Sequence, residues 1–273
     1  SARGILQNHN SKMRQLTQKL SNGELAVQFL PEPVMGQGML LIKNYFSLIS
    51  AGTEGSTAQT ARKSLLGKEK ERHQQVSQVL DVIVQQGQVQ AYRAVTKKLE
   101  AYSPLGYSSA GEVIGVGDNV TESKVGDYVA CAGVGYANHA EIVAVPVNLC
   151  VKLGKDADLK KAAYNTLGAI AMQSVRQADL RLGESCGVIG LGLLGQLTCL
   201  ILKASGVKVV GIDVNTSAVE TAASHCTDLA MLRNTPGIED SMSDFTGGLG
   251  VDAVIIAAAT DSTDPINFAG AIA

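Results

Sequence analysis

The sequence predicts two architectures in series: a glycine-punctuated β domain, then an α/β domain built on a parallel sheet. Three observations carry this. From about residue 38 to 153 the chain is mostly short β-type runs, at 39–49, 111–117, 125–131 and 140–153, broken by glycine, which suits a compact, strongly bent β domain or barrel. The second half alternates strand-like and helix-like runs. At its centre Gly190-Leu191-Gly192-Leu193-Leu194-Gly195 joins an apolar strand at 186–189 to an apolar run at helical spacing, 193–204.

The remaining elements follow in order. Gly206 stops the helix and 207–212 is a second buried strand, completing one βαβ unit. A helix at 216–224, a short strand at 228–232 and an apolar strand at 251–258 come next, and the last apolar stretch reads as the helix after the fourth strand. Upstream, 159–178 is apolar and helical, with Asp156 or Asp158 as its cap, and bridges the two domains. A polar stretch at 58–102 interrupts the β half. In it Val76, Val79, Leu80 and Ile83, then Tyr92, Val95 and Leu99, fall at helical spacing, predicting two amphipathic helices parted near Gly87. The charges at 68–72 and 97–98 read as solvated faces. No repeat or low-complexity tract is present.

The glycine run lies between a strand and a helix, where a G-x-G-x-x-G pattern carries meaning. Gly190 permits the tight turn, Gly192 leaves no side chain between backbone and a pyrophosphate, and Gly195 lets the helix lie close to the sheet. The N–H groups at the helix start favour phosphate. Asp213, at the end of the second strand, suits both hydroxyls of an adenosine ribose, whereas a 2′-phosphate would meet a carboxylate with no arginine close in sequence. The expected ligand is therefore NAD(H) rather than NADP(H). Its binding set is Gly190 to Gly195, including Leu191, Leu193 and Leu194, with Asp213 and Val214.

A chain of 273 residues, 45% hydrophobic, is long enough for one large or two ordinary cores. A net charge of -2 with dispersed lysines and arginines gives no footprint for nucleic acid or an anionic membrane, so small molecules are the expected partners. No apolar run reaches the roughly 20 residues of a membrane span, and the first residues lack the apolar centre of a signal peptide, so the expected location is cytoplasmic. Five isolated cysteines read as reduced core residues. No C-x-x-C pair and no clustered histidines support a metal, and His139 reads as a hydrogen-bonded cleft or core histidine.

The expected domains are 1–155 and 156–273. The second holds only half of a doubly wound sheet, and the nicotinamide end of the cofactor rests mainly on the other half. These 273 residues are accordingly expected to be part of a longer polypeptide, an idea that a stop codon directly after Ala273 would sink.

Taken together, these residues resemble the medium-chain dehydrogenase/reductase family, the relatives of zinc alcohol dehydrogenases. The resemblance spans nearly the whole chain. Ser50-Ala51-Gly52-Thr53-Glu54 is similar to the family's Cys-Gly-Thr-Asp stretch, and Gly106-Tyr107-Ser108-Ser109-Ala110-Gly111-Glu112-Val113 to its Gly-His-Glu-x-x-Gly-x-Val. Gly115-Val116-Gly117-Asp118-Asn119-Val120, followed by Val125-Gly126-Asp127-Tyr128-Val129, matches its next signature, and residues 246–252 resemble the lead-in to its fourth cofactor-domain strand. The resemblance implies a GroES-like β-barrel catalytic domain joined to a Rossmann domain, truncated here, with the active site in the cleft between them. The insertion and the stretch 135–141 are similar to a bacterial branch whose members can carry a second oxidoreductase domain.

Departures from the family pattern shape the expected chemistry. The positions of the catalytic zinc ligands fall at Ala51, at Tyr107 and near Asn165 or Thr166, and the four-cysteine lobe for structural zinc is missing. A catalytic zinc needs about three thiolate, imidazole or carboxylate ligands, so the expectation is a zinc-free member. A hydrogen-bond donor must then hold the developing alkoxide, a contribution of about 3 kcal/mol for a well-placed group. By the resemblance Tyr107 points at the reacting centre, either as that donor or as a filler of the vacated metal pocket. Thr53 matches the family's hydroxyl relay, or else caps the helix beginning near Glu54. Glu54 and His139 are candidates for a general acid/base pair. The implied function is zinc-independent hydride transfer between NAD(H) and an alcohol or ketone, with sugar-like molecules among the candidates. The alternatives are a zinc-free quinone or enoyl reductase and a non-catalytic dinucleotide-binding or regulatory module. The resemblance implies dimers or tetramers, formed in many members through the edge of the cofactor sheet, as an option for the full-length protein; that edge falls in the portion expected downstream, so the expectation does not extend to this chain.

Overall fold

The computed structural model describes residues 12–19, 21–55 and 101–273. The helical insertion expected at 58–102, with its charged faces, lies almost wholly outside the described residues. The chain divides between Thr166 and Leu167 into two compact units. That point lies downstream of the boundary expected after residue 155.

The first unit is antiparallel β. Strands β1 (Lys12–Lys19), β2 (Leu25–Pro31) and β4 (Tyr102–Pro104) form a three-stranded sheet in the order β2-β1-β4. Strands β3 (Met39–Ser47), β5 (Ser108–Val116), β6 (Tyr128–Ala132), β7 (Ile142–Pro146) and β8 (Cys150–Lys152) form a five-stranded sheet in the order β7-β3-β5-β6-β8. The pairing of β3 with β5 slips between Leu41 and Ile42 and between Asn44 and Phe46, and such bulges sharpen twist and curl the sheet. The result is a curled antiparallel half-barrel. Alternate residues Leu40, Ile42, Val113, Val129, Val143 and Val145 fill its core. At Gly111 a side chain would overlap the Lys43 carbonyl, so glycine lets β5 and β3 close at the bulge.

Two details correct the sequence reading of this unit. The run expected as one strand at 140–153 is two, because a 3-10 turn, Val147–Leu149, follows Pro146 and parts β7 from β8, which lie at opposite edges of the sheet. β1 and β2 lie upstream of the first expected strand. Their alternation is hidden by polar residues that are buried, Thr17 and Gln18, and apolar ones that are exposed, Leu25, Val27 and Phe29.

Helices α1 (Leu159–Ala162) and α2 (Asn165–Ala178) replace the single helix expected at 159–178. Asp158 caps α1 by accepting from the N–H groups of Lys160 and Lys161. The break comes where Asn165 and Thr166 turn their side chains to backbone acceptors instead of continuing one helix.

The second unit is a parallel sheet of β9 (Ser185–Ile189), β10 (Lys208–Asp213), β11 (Leu229–Leu232) and β12 (Ala253–Ile256), in the order β11-β10-β9-β12. Helices α3 (Leu193–Ala204), α4 (Thr216–His225), α5 (Ile238–Thr246) and α6 (Asp264–Ile272) cover it. Cys186, Val188 and Val209 pack with Cys199 and Leu202 of α3 and Ala222 of α4, while Ile189, Val210 and Ile212 pack with Met242 of α5 and Phe268 of α6. A sheet covered on both faces explains why its strands read as continuous apolar runs. Gly206, with φ +78°, ends α3. Among the described residues no helix is long and apolar enough to cross a membrane.

Candidate functional site

In the second unit the glycine run turns from β9 into α3. Gly190 adopts φ +98° and donates its N–H to the Ile212 carbonyl at 2.7 Å. A Cβ there would lie 2.5 Å from the Ala258 nitrogen, and one on Gly195 would overlap the Gly190 carbonyl oxygen. Both glycines are thus required by contact. Gly192 differs, because a Cβ there would meet nothing within 4 Å. It faces open space just ahead of α3, whose first N–H groups have no acceptor within the helix. With no side chain there, the backbone stays open to a ligand, an arrangement that suits the phosphates of the dinucleotide expected from the sequence.

The leucines of the run divide. Leu191 is fully buried in the core and contributes its backbone, donating to Asp213 Oδ2 at 2.5 Å. Leu193 is exposed at the start of α3 and Leu194 half-buried. The other Asp213 oxygen accepts from Asn215 N–H at 2.8 Å, so the carboxylate is fixed at the end of β10 with lone pairs left for ribose hydroxyls. Val214, beside it, is exposed. Sequence distance hid one neighbour. Arg233 follows β11, which pairs with β10, and its N–H donates to the Asp213 carbonyl at 2.9 Å. Its guanidinium is clasped by Asp264, with Nε and Nη2 at 2.9 and 2.8 Å from the two carboxylate oxygens, and lies 4.1 Å from the centre of the Phe268 ring.

In the first unit the structure joins two of the four candidate catalytic residues. His139 Nε2 lies 3.0 Å from Glu54 Oε2, and His139 Nδ1 lies 2.8 Å from Ser47 Oγ. Both His139 and Glu54 are largely buried, their side chains 7% and 13% exposed. The other Glu54 oxygen accepts from Ser50 N–H at 2.9 Å, closing the start of the helical turn at 51–55 onto the residue before it. The loop carrying His139 is held by backbone bonds to Leu105 and Leu16, both 2.8 Å, and by the Asn44 side chain, which donates to the Asn138 and Ala140 carbonyls. Gly106, at φ +92°, leaves room for the imidazole, whose Nδ1 would otherwise stand 2.8 Å from a Cβ.

The tautomer sets the direction of this chain of bonds. With a carboxylate at Glu54 and a neutral imidazole, Nε2 carries the proton and Nδ1 accepts from the Ser47 hydroxyl. Ser47 and His139 open onto a cavity of about 350 Å³ bordered also by Tyr45, Phe46, Arg14 and Glu141. Arg14 binds Glu141 through Nε and Nη2, at 2.8 and 2.6 Å, and this contact holds the Glu141 carboxyl below its usual range. Ser47 was not singled out from the sequence, since one serine closing a strand carries no pattern.

Tyr107 is half-buried, and its hydroxyl has no hydrogen-bond partner among the described residues. Its carbonyl accepts from Gly133 N–H and from Thr166 Oγ1, each at 3.0 Å. Thr53 is exposed on the turn at 51–55; the turn begins before it, so Thr53 lies inside rather than at the cap. The positions a zinc ligand set would use do not fit the metal. Ala51 has no donor atom, and Asn165 Nδ2 lies 3.1 to 3.2 Å from the carbonyls of Cys131, Ser109 and Ala162. Among the described residues no three His, Cys, Asp or Glu side chains group to hold a metal ion.

No family model matches the chain. The D-guloside 3-dehydrogenase of Escherichia coli is 30% identical over 155 residues, covering 55% of this chain and 43% of that protein. The D-xylulose reductase A of Aspergillus oryzae is 30% identical over 146 residues, covering 43% and 41%. The chain thus spans less than half the length of these curated relatives. Among solved structures, the 2R,3R-butanediol dehydrogenase from Bacillus subtilis matches with a TM-score of 0.72 at 18% identity, over 95% of this chain and 74% of that one. The Escherichia coli quinone oxidoreductase complexed with NADPH matches with a TM-score of 0.70 at 15% identity, over 95% and 69%. These structures share the fold: a GroES-like half-barrel followed by a Rossmann sheet. With the sequence relatives, they support the chain as a member of the medium-chain dehydrogenase/reductase family.

Proposed function

We propose that this chain belongs to an NAD(H)-dependent, zinc-independent oxidoreductase that interconverts an alcohol and a ketone on a sugar-like substrate. The observation that carries the reading is the Ser47–His139–Glu54 chain of hydrogen bonds in a chain that also holds the Gly190–Gly195 cradle. A bound nicotinamide supplies the hydride acceptor or donor. The chain's own residues handle the proton. Ser47 accepts the hydrogen bond of a substrate hydroxyl and passes its own proton to His139 Nδ1, and Glu54 stabilises the imidazolium. The Tyr107 phenol is the proposed donor to a carbonyl oxygen. The substrate class follows the names of the sequence relatives, which act on a guloside and a ketopentose.

NAD(H) is favoured by Asp213, whose carboxylate repels a 2′-phosphate, and by the engagement of Arg233 with Asp264. Adjacent reading as a quinone-type reductase draws on the NADPH-bound relative in fold, and would require NADPH to win. The test pairs binding with turnover. Isothermal titration should show tighter binding of NADH than of NADPH, and a panel of glycosides, ketopentoses and vicinal diols should reveal NADH-linked turnover. Ser47→Ala and His139→Asn should each lower that turnover by about 10²-fold or more, with NADH affinity nearly unchanged. Nucleotide binding with no turnover across the panel would favour the non-catalytic module instead.

A further inference from the structure

The sequence leaves the five cysteines isolated, but the half-barrel brings two of them together. Cys131 on β6 stands directly opposite Cys150 on the antiparallel edge strand β8, and their sulfurs are 3.9 Å apart. The ladder pattern fixes what kind of pair this is. Leu153 N–H donates to the Tyr128 carbonyl at 2.8 Å, so those residues form a hydrogen-bonded pair. Ala130 and Val151 form the next such pair, and Cys131 and Cys150 fall between bonds. At such positions opposed Cα atoms are about 4.5 Å apart and side chains are closest, within the span of about 4.4–6.8 Å that a disulfide bridges. Closing the sulfurs to bonding distance asks for side-chain rotation and leaves both strands in register.

The two thiols are not equivalent. Cys131 is fully buried, whereas Cys150 is only partly so. The hydrogen bond between the two sulfurs, with burial added, pushes the Cys131 thiol up, while the same bond holds the Cys150 thiol below its ordinary range. The second unit offers a contrast, since burial pushes the Cys186 thiol up to about 12.

We propose that Cys131 and Cys150 are a reversible redox pair, with Cys150 the thiol that meets a peroxide and Cys131 the thiol that resolves it. The Cys150 thiolate attacks one oxygen of hydrogen peroxide. The O–O bond breaks, the hydroxide that leaves takes a proton to become water, and Cys150 becomes a sulfenic acid. The Cys131 sulfur then attacks the Cys150 sulfur, the S–O bond breaks, and the departing hydroxide takes the Cys131 proton as a second water. Two thiols are oxidised to one disulfide while one peroxide is reduced to two waters. A dithiol reductant reverses it. The link adds a covalent tie between β6 and β8 beside the Cys131 carbonyl that accepts from Asn165.

The test uses the purified chain, reduced, freed of reductant, exposed to hydrogen peroxide and then blocked by alkylation in denaturant. Mass spectrometry of the digest should show the Cys131 and Cys150 peptides joined, lighter than their sum by two hydrogens, and restored by dithiothreitol. Cys131→Ser should abolish the join and leave Cys150 open to a sulfenic-acid trap such as dimedone. Cys150→Ser should leave Cys131 unoxidised under the same exposure. Recovery of both native cysteines alkylated after exposure, or joins to Cys186, Cys199 or Cys226 in equal yield, would overturn the proposal. The mapping on the unaltered chain decides this even if a serine variant fails to fold.

Discussion

At Gly106 the backbone and the imidazole of His139 compete for the same space, and glycine resolves the competition twice. It tolerates φ +92°, and it leaves the volume beside Nδ1 free. Gly106→Ala is expected to cost about 1–3 kcal/mol in backbone strain and to turn the ring from Ser47. Urea unfolding measures the first effect. The nitrogen shifts of His139 by NMR measure the second, and an unchanged ring environment would count against the role given to Gly106. The sequence made His139 and Glu54 legible as candidates because their types suit proton transfer. It did not show Ser47, because the bond between residues 92 positions apart exists only once the strand end and the loop meet.

At the scale of elements, the lead-in to β12 is fastened to the start of β9 by one carboxylate. Asp252 accepts from Ser185 N–H at 2.8 Å and from Ser185 Oγ at 2.9 Å. The backbone bond, then the hydroxyl, hold its carboxyl below the ordinary range, against a smaller opposite push from burial. A folded-state value below the unfolded one of about 3.9 means that its stabilisation is present above that pH. It is lost as pH falls through the lower folded value. Asp252→Asn should therefore flatten the loss of stability below about pH 4, measured as melting temperature against pH. An acid limb identical to that of the parent would remove Asp252 from the account. Elements of this unit were legible because spacing and burial agree: α3 spans the residues its apolar period predicts, and residues 186–189 of β9 and 209–212 of β10 are buried runs without a charge. β2 was illegible for the opposite reason, since its apolar residues Leu25, Val27 and Phe29 face outward.

For the whole molecule, stability rests on separate apolar cores, one in the half-barrel and two on the faces of the parallel sheet. Leu202 on α3 is fully buried between that helix and the sheet, whereas Leu182 is 85% exposed. Leu202→Ala should cost about 2–5 kcal/mol and Leu182→Ala no more than about 0.5 kcal/mol by chemical denaturation. Similar costs for both would mean that the core has been misplaced. The fold class was readable at this scale because glycine punctuation and βα alternation are long-range patterns. The division of the chain was harder to read. Asn165 and Thr166 bind acceptors of the first unit, while Val175 of the same helix α2 packs on the core of the second.

Arg233 gives the parallel sheet a reserve it does not use. Its backbone N–H meets the Asp213 carbonyl, while its guanidinium is held by the Asp264 carboxylate at the start of α6 and by the face of Phe268. Under the proposed preference for NAD(H), coenzyme choice is tied to how firmly α6 is anchored. On that reading, a lineage that relaxed the grip of Asp264 would free a cationic side chain and loosen α6 in the same step, so changes in coenzyme choice should come paired with compensating changes around Phe268.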